Sequence, residues 1–165
     1  MMTNTLHVGQ TISADGCFTL EGYILGQNLL EIARRLGLPQ WRVSQGIYIA
    51  YALRVPHLTE FELAGVTHDS TDKFTSYKSG KSEYNPHQFQ KLYTTNAAVP
   101  VDFQAIKKQY QNSFGINKLV KVICAMPNQP DTIYPAGGMT PQFLMTTKLP
   151  CYVAAFIPAN GNFRK

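Results

Sequence analysis

Glutamate is absent from this chain after Glu83, and beyond Asp102 the only acidic residue is Asp131. ADP-ribosyl transfer of the usual kind calls on a glutamate late in the chain, so that chemistry is set aside. The carboxylates are also too few and too scattered for an evident two-metal nuclease. Charge of either sign is scarce, at 15% of residues against about a quarter in ordinary domains. The polar surface must therefore lean on Thr, Ser, Asn, Gln and Tyr. Cysteine is rare too. Cys17, Cys124 and Cys151 are an odd, widely spaced set without a C-x-x-C. That argues against a disulfide framework and against a zinc site made of cysteines alone. Cys124 and Cys151 sit in apolar runs and read as buried thiols. No apolar run reaches the length of a membrane span. The first residues lack the charged-then-apolar layout of a signal peptide, so export is expected to depend on another segment or machine. There is no Walker loop, no G-x-G-x-x-G, no H-E-x-x-H and no G-x-S-x-G. There are no internal repeats.

What is present is an uneven positive charge. The formal net charge is +5 over 165 residues. Lys107, Lys108, Lys118, Lys121, Lys148, Arg164 and Lys165 all follow Asp102. A basic C-terminal half favours acidic partners such as nucleic acid or a nucleotide; the alternative is a solvated surface that keeps the protein soluble. The length predicts one domain.

The first 20 residues read as a short β or irregular entry. From Gly26 to Leu36 the apolar residues Leu29, Leu30, Ile32, Ala33 and Leu36 follow helical spacing, and Gly37 and Pro39 stop the helix. Pro39 opens a further short helix that Gly46 ends. Ile47 to Val55 alternates with period two and reads as a strand, closed by Pro56. Glu60 to Gly65 reads as a second strand, a candidate hairpin partner for the first. Val66 to Pro86 is a long polar loop, and loops of that length in compact domains tend to be functional or disordered. Asn85-Pro86 opens a helix to about Tyr93. Asp102 caps an amphipathic helix carrying Phe103, Ile106, Tyr110 and Phe114, ended by Gly115. Strands are expected over Lys118–Met126, at Phe143–Met145 and over Cys151–Ile157. Pro158–Lys165 reads as a loose tail. This order predicts an α+β fold, with N-terminal helices packed on a mainly antiparallel, twisted sheet. Residues 1–45 are a candidate helical subdomain, 46–158 the α+β catalytic core and 159–165 the tail.

Between two of the expected strands lies Tyr134-Pro135-Ala136-Gly137-Gly138-Met139-Thr140-Pro141-Gln142-Phe143. Glycine tolerates positive φ and proline fixes its own, so a glycine pair between prolines forces an irregular loop. Such a loop brings bare backbone at Gly137 and Gly138, the Thr140 hydroxyl and the Gln142 amide to a strand end. That suits a phosphate or a nucleotide; the alternative is a structural turn. The loop carries no proton-transfer group, so any chemistry must be completed elsewhere.

Thr67-His68-Asp69-Ser70-Thr71-Asp72-Lys73 is the best candidate to complete it. Histidine titrates near working pH and serves as base or acid. Lysine offsets charge at a phosphorane-like transition state. Lys78, Lys81, Tyr84, His87, Lys91 and Tyr93 interleave cations with rings, which suits RNA, although a solvated face has the same composition. Arg54 ends an apolar strand, either at the sheet edge or pointing into a cleft as a phosphate fork.

The Tyr134–Phe143 motif resembles the Gly-rich, Gln-containing segment near the C-terminus of many toxin domains of bacterial polymorphic and contact-dependent inhibition systems. The resemblance covers roughly the last third of the chain and rests on one motif. It implies delivery by another segment or machine, action in the target-cell cytoplasm and a cognate immunity protein. The class includes metal-free ribonucleases, often tRNA-directed, and NAD-glycohydrolases. No histidine lies near the loop, unlike in a plain nuclease signature.

Three readings follow. In a metal-independent ribonuclease, His68 works on the ribose 2′-OH or the leaving 5′-oxygen. Lys73 or Arg54 steadies the phosphorane, while Thr140 and Gln142 position the substrate. In an NAD-glycohydrolase, the glycine loop holds the pyrophosphate, Gln142 orients the ribose, Arg54 clamps phosphate and Tyr134 or Phe143 stacks on nicotinamide. In a non-enzymatic module, the polar loop and basic helix are an interface. No metal and no cofactor is expected.

Overall fold

The computed structural model describes residues 6–36, 38, 43–63, 103–125 and 142–164. Five strands and two helices are found among them: β1 (Thr11–Leu20), α1 (Leu29–Leu36), β2 (Ile47–Ala52), β3 (Phe61–Leu63), α2 (Phe103–Ser113), β4 (Leu119–Cys124) and β5 (Phe143–Ile157). All pairings are antiparallel. The strand order is β1-β4-β2-β5-β3, and β5 also pairs with β1. Those pairings close β1, β4, β2 and β5 into a four-stranded barrel, with β3 added to the free edge of β5.

This corrects the expected α+β layering. Among the described residues sheet predominates, and the two helices are short, of 8 and 11 residues. The cause is the 15-residue strand β5, which the sequence divides into two pieces at Thr146-Thr147-Lys148 and Pro150. Its first part lies between β1 and β3, and its last part along β2. Two register shifts bend it. Ala14 faces Leu149 but Gly16 faces Met145, so β5 carries extra residues there. Ile49 faces Ala155 but Ala50 faces Val153, which leaves Ala154 extra. A bulge of this kind increases local bend and twist, and such bends let a sheet curl closed.

The Ala154 bulge also exchanges the faces of β5. Before it, Leu149, Cys151 and Val153 face the barrel interior with Phe18, Ala50 and Phe143. After it, Ala155 and Ile157 join an outer cluster with Ile47, Ile49, Val120 and Phe163. The helix α1 covers that outer wall with Leu29, Ile32, Ala33 and Leu36, four of the five positions its helical spacing singles out; Leu30 is exposed. Asn28 accepts from the Glu31 N–H at 2.8 Å and caps its start. At its far end α2 closes the interior, where Phe143 meets Tyr110 and Phe114 edge-on at 5.0 and 5.2 Å between ring centroids. Each fully buried phenylalanine contributes on the order of 1.5–3 kcal/mol.

Of the short β or irregular entry expected at the start, residues 11–20 take the β alternative as a ten-residue stave of the barrel. Two further expectations are corrected. No hairpin joins β2 and β3, because β5 runs between them. The segment after Pro158 is not loose: Phe163 is buried, its N–H donates to the Gln27 carbonyl and its carbonyl accepts from Gly26. Among the described residues, no helix is long and apolar enough to cross a membrane.

Candidate functional site

Arg54, Gln142 and Phe143 are the sequence-derived site residues that fall among the described residues; the Phe143 ring is fully buried in the barrel interior among Phe61, Tyr110 and Phe114. His68, Lys73, Thr140, Gly137, Gly138, Tyr134, Lys78, Lys81 and His87 lie outside them, as do the long polar loop and the glycine pair.

Arg54 follows β2, where the chain leaves the sheet. It faces Glu60, which immediately precedes β3. The two make a bidentate pair, with Nη1 and Nη2 donating to the two carboxylate oxygens at 2.8 Å each. Glu60 is a hub. Its Oε2 also accepts from the His57 backbone N–H at 2.8 Å, and its Oε1 accepts from the Thr147 hydroxyl at 2.7 Å. The Thr146 hydroxyl donates to the Glu60 carbonyl at 3.0 Å. The guanidinium of Arg54 beside it, followed by the His57 N–H and the Thr147 hydroxyl, holds the Glu60 carboxyl well below the usual carboxylate range. The same pairing raises the Arg54 pKa. A guanidinium carries five N–H bonds, so Arg54 retains donors for an anion while Glu60 fixes its orientation.

Gln142 stands in a different environment. It is 5% exposed. Its Nε2 donates to the backbone carbonyl of Leu36 at 3.1 Å. The amide thus ties the start of β5 to the end of α1 and fixes where the glycine-loop segment re-enters the barrel.

The sheet brings the flanks of the two candidate loops together. Leu63, the last residue of β3, is the cross-strand partner of Phe143, the first of β5. The chain leaves for the His68 segment at Leu63 and returns from the glycine-loop segment at Phe143. Two segments distant in sequence therefore attach to adjacent strands at one sheet end.

Several groups escaped sequence reasoning. His57 and Glu60 sit beside Arg54, and the spacing from Arg54 to Glu60 offered a signal, since a short turn after Pro56 brings them together. Glu21 is buried in a single 3-10 turn, and the Tyr51 hydroxyl donates to its carboxylate. Lys107 on α2 is buried with its ammonium 5.1 Å from the centre of the Phe61 ring, a cation–π contact. Lys121 on β4 reaches the neighbouring strand β1, with Nζ 3.4 Å from the Cys17 carbonyl oxygen and 5.4 Å from the centre of the Phe18 ring. Among the described residues no cluster of His, Cys, Asp and Glu is arranged to hold a metal ion. Cys17, Cys124 and Cys151 are free thiols, exposed, half-buried and buried respectively. No family model, curated protein or solved structure matches the chain.

Proposed function

We propose that this domain is an antibacterial toxin that cleaves RNA, with tRNA as the first substrate to test, by a metal-independent route. The observation that carries the reading is the Leu63–Phe143 pairing, which puts the residues flanking the two candidate segments on adjacent strands. His68 takes the proton of the ribose 2′-OH as that oxygen attacks phosphorus. The P–O5′ bond breaks, a 2′,3′-cyclic phosphate forms, and the leaving 5′-oxygen takes a proton from water. Lys73 and Arg54 stabilise the phosphorane charge. Gly137, Gly138 and Thr140 position the phosphate, and Tyr134, Lys78, Lys81 and His87 hold the strand. Gln142 acts by anchoring the loop. The excess positive charge favours the RNA backbone, and a cognate immunity protein blocks the activity in the producing cell.

The test is incubation of the purified protein with tRNA and, in parallel, with NAD, both in EDTA. RNA fragments are expected, with His68→Ala slower by roughly 10²- to 10⁴-fold. Wild-type cleavage by His68→Ala removes His68 from the mechanism. NAD loss without RNA fragmentation replaces this reading with a nucleotide glycohydrolase. Inertness toward both substrates, with no growth defect on expression, replaces it with a binding module.

A further inference from the structure

The barrel closes weakly along one seam. β1 and β4 share two residue pairs, Thr19–Val120 and Leu20–Leu119. Beyond them β1 stays with β5 and β4 stays with β2, so the two staves part. Lys121 is the first residue of β4 past the last pair. In place of a backbone donor, its ammonium approaches the Cys17 carbonyl.

The interior wall beside this opening is only partly covered. Lys121 pairs with Ala50 and Ile123 with Tyr48 across β2 and β4, so Lys121 and Tyr48 are diagonal neighbours on one face. Tyr48 in turn meets Phe156 of β5, with ring centroids 4.9 Å apart. Phe156 is 41% exposed, while Ile12, Gly16, Tyr48, Lys121 and Ile123 are all half-buried. On the facing stave Gly16 leaves room, since a Cβ there would stand 3.3 Å from the Lys121 ammonium.

Lys121 has no ion-pair partner among the described residues. Burial around it lowers its pKa, opposed first by Cys17 and then by Asp15. A half-buried cation without a counter-ion is unfavourable, and a bound anion relieves that cost. Partly exposed rings beside it offer a stacking surface.

We propose that this opening is a nucleotide cleft, in which the Tyr48–Phe156 pair stacks a base and Lys121 holds the attached phosphate. The inference rests on the reading that nucleotides are the substrates of this domain. The nucleotide comes either from a single RNA strand or from a free dinucleotide.

Binding is measured separately from cleavage. The probes are a labelled single-stranded 2′-deoxyoligonucleotide, which lacks the attacking hydroxyl, and NAD. Folding of every variant is checked by thermal unfolding. Lys121→Met is expected to weaken oligonucleotide binding about tenfold and to reduce the magnitude of the salt slope by about 0.7, whereas Lys121→Arg keeps both. Phe156→Ala is expected to weaken it roughly 5- to 150-fold, with Phe156→Tyr close to wild type. Lys118→Met, an exposed charge outside the opening, sets the baseline for general electrostatics. Equal effects of Lys121→Met and Lys118→Met overturn the proposal. So do an unchanged affinity in Phe156→Ala and a wild-type protein that binds neither probe. Oligonucleotide binding through these residues without RNA cleavage upholds the cleft and overturns the ribonuclease reading. Binding of NAD alone, lost in the same variants, identifies the free dinucleotide as the source.

Discussion

The buried amide of Gln142 donates to the backbone carbonyl of Leu36 across a separation of 106 residues. The bond joins the first turn-in of β5 to the last turn of α1, where helix carbonyls lack partners within the helix. Truncating the side chain leaves that carbonyl unpaired in a buried place, at a cost of about 1–3 kcal/mol. Gln142→Ala is therefore expected to lower the melting temperature by roughly 2–12 °C. If melting is unchanged while substrate binding is lost, the amide serves the substrate rather than the fold.

Among the described residues, two carboxylates with lowered pKa contribute to the acid limb of stability. Glu31 receives both Arg34 and Arg35, which lower its pKa from 4.5 to about 2. Glu60 is held lower still, by Arg54 first. A carboxyl with a depressed pKa in the folded state stabilises at neutral pH. It loses that contribution as pH falls from the unfolded value through the folded one. The window for Glu31 thus runs from 4.5 down to about 2. Each pair reaches solvent through its arginine, Arg34 and Arg54 being exposed, so the effect is small and screened by salt. Urea midpoints across that window should fall with pH at low ionic strength. The Glu31→Gln, Glu60→Gln double variant should start lower at neutral pH and fall less steeply.

Legibility in the sequence followed the range of the interactions. Helix α1 was plain because Leu29, Ile32, Ala33 and Leu36 share one face, and all four are buried. Barrel closure was not, because it depends on pairings such as Thr11 with Tyr152 that no local window contains. The first 20 residues read as a short β or an irregular entry, and only the tertiary pairing shows Ile12, Ala14 and Phe18 alternating toward the interior of one ten-residue strand. In β2 the period of two was read correctly but carried no inside or outside. Ile47 and Ile49 face the outer cluster while Tyr48 and Ala50 face the inner one. For the candidate site, the strand-end position of Arg54 was legible. Its carboxylate partner was not, because that depends on the turn through His57 and on Thr147 from a distant strand.

Gly46 is held by backbone conformation and by crowding together. Its φ is 99°, a region that favours glycine. A Cβ there would lie 2.5 Å from Cζ of Phe156 and 2.8 Å from the Ile157 carbonyl oxygen. Gly46→Ala is expected to cost more than about 1 kcal/mol, read as a lower urea midpoint. Adding Phe156→Ala should recover only part of the loss, because the positive φ and the Ile157 carbonyl remain. Full recovery would place the whole cost on the ring.

Phe163 decides whether the last residues belong to the fold. Its side chain is buried in the outer cluster with Ile24, Leu29 and Ile157. Its backbone exchanges bonds with Gly26 and Gln27, at 2.6 and 2.9 Å, and Asn162 bridges to Asn28. Those contacts hold the approach to α1 against the barrel. Phe163→Ala removes the ring and leaves a cavity, which for buried phenylalanines costs about 3–5 kcal/mol. Against a total of roughly 5–15 kcal/mol for a domain, that loss should shift the urea midpoint by a large fraction of its value. A loss under about 0.5 kcal/mol, the range of ordinary surface substitutions, would return this segment to the loose tail its composition suggests. In that case α1 must be held by the β2, β4 and β5 wall alone.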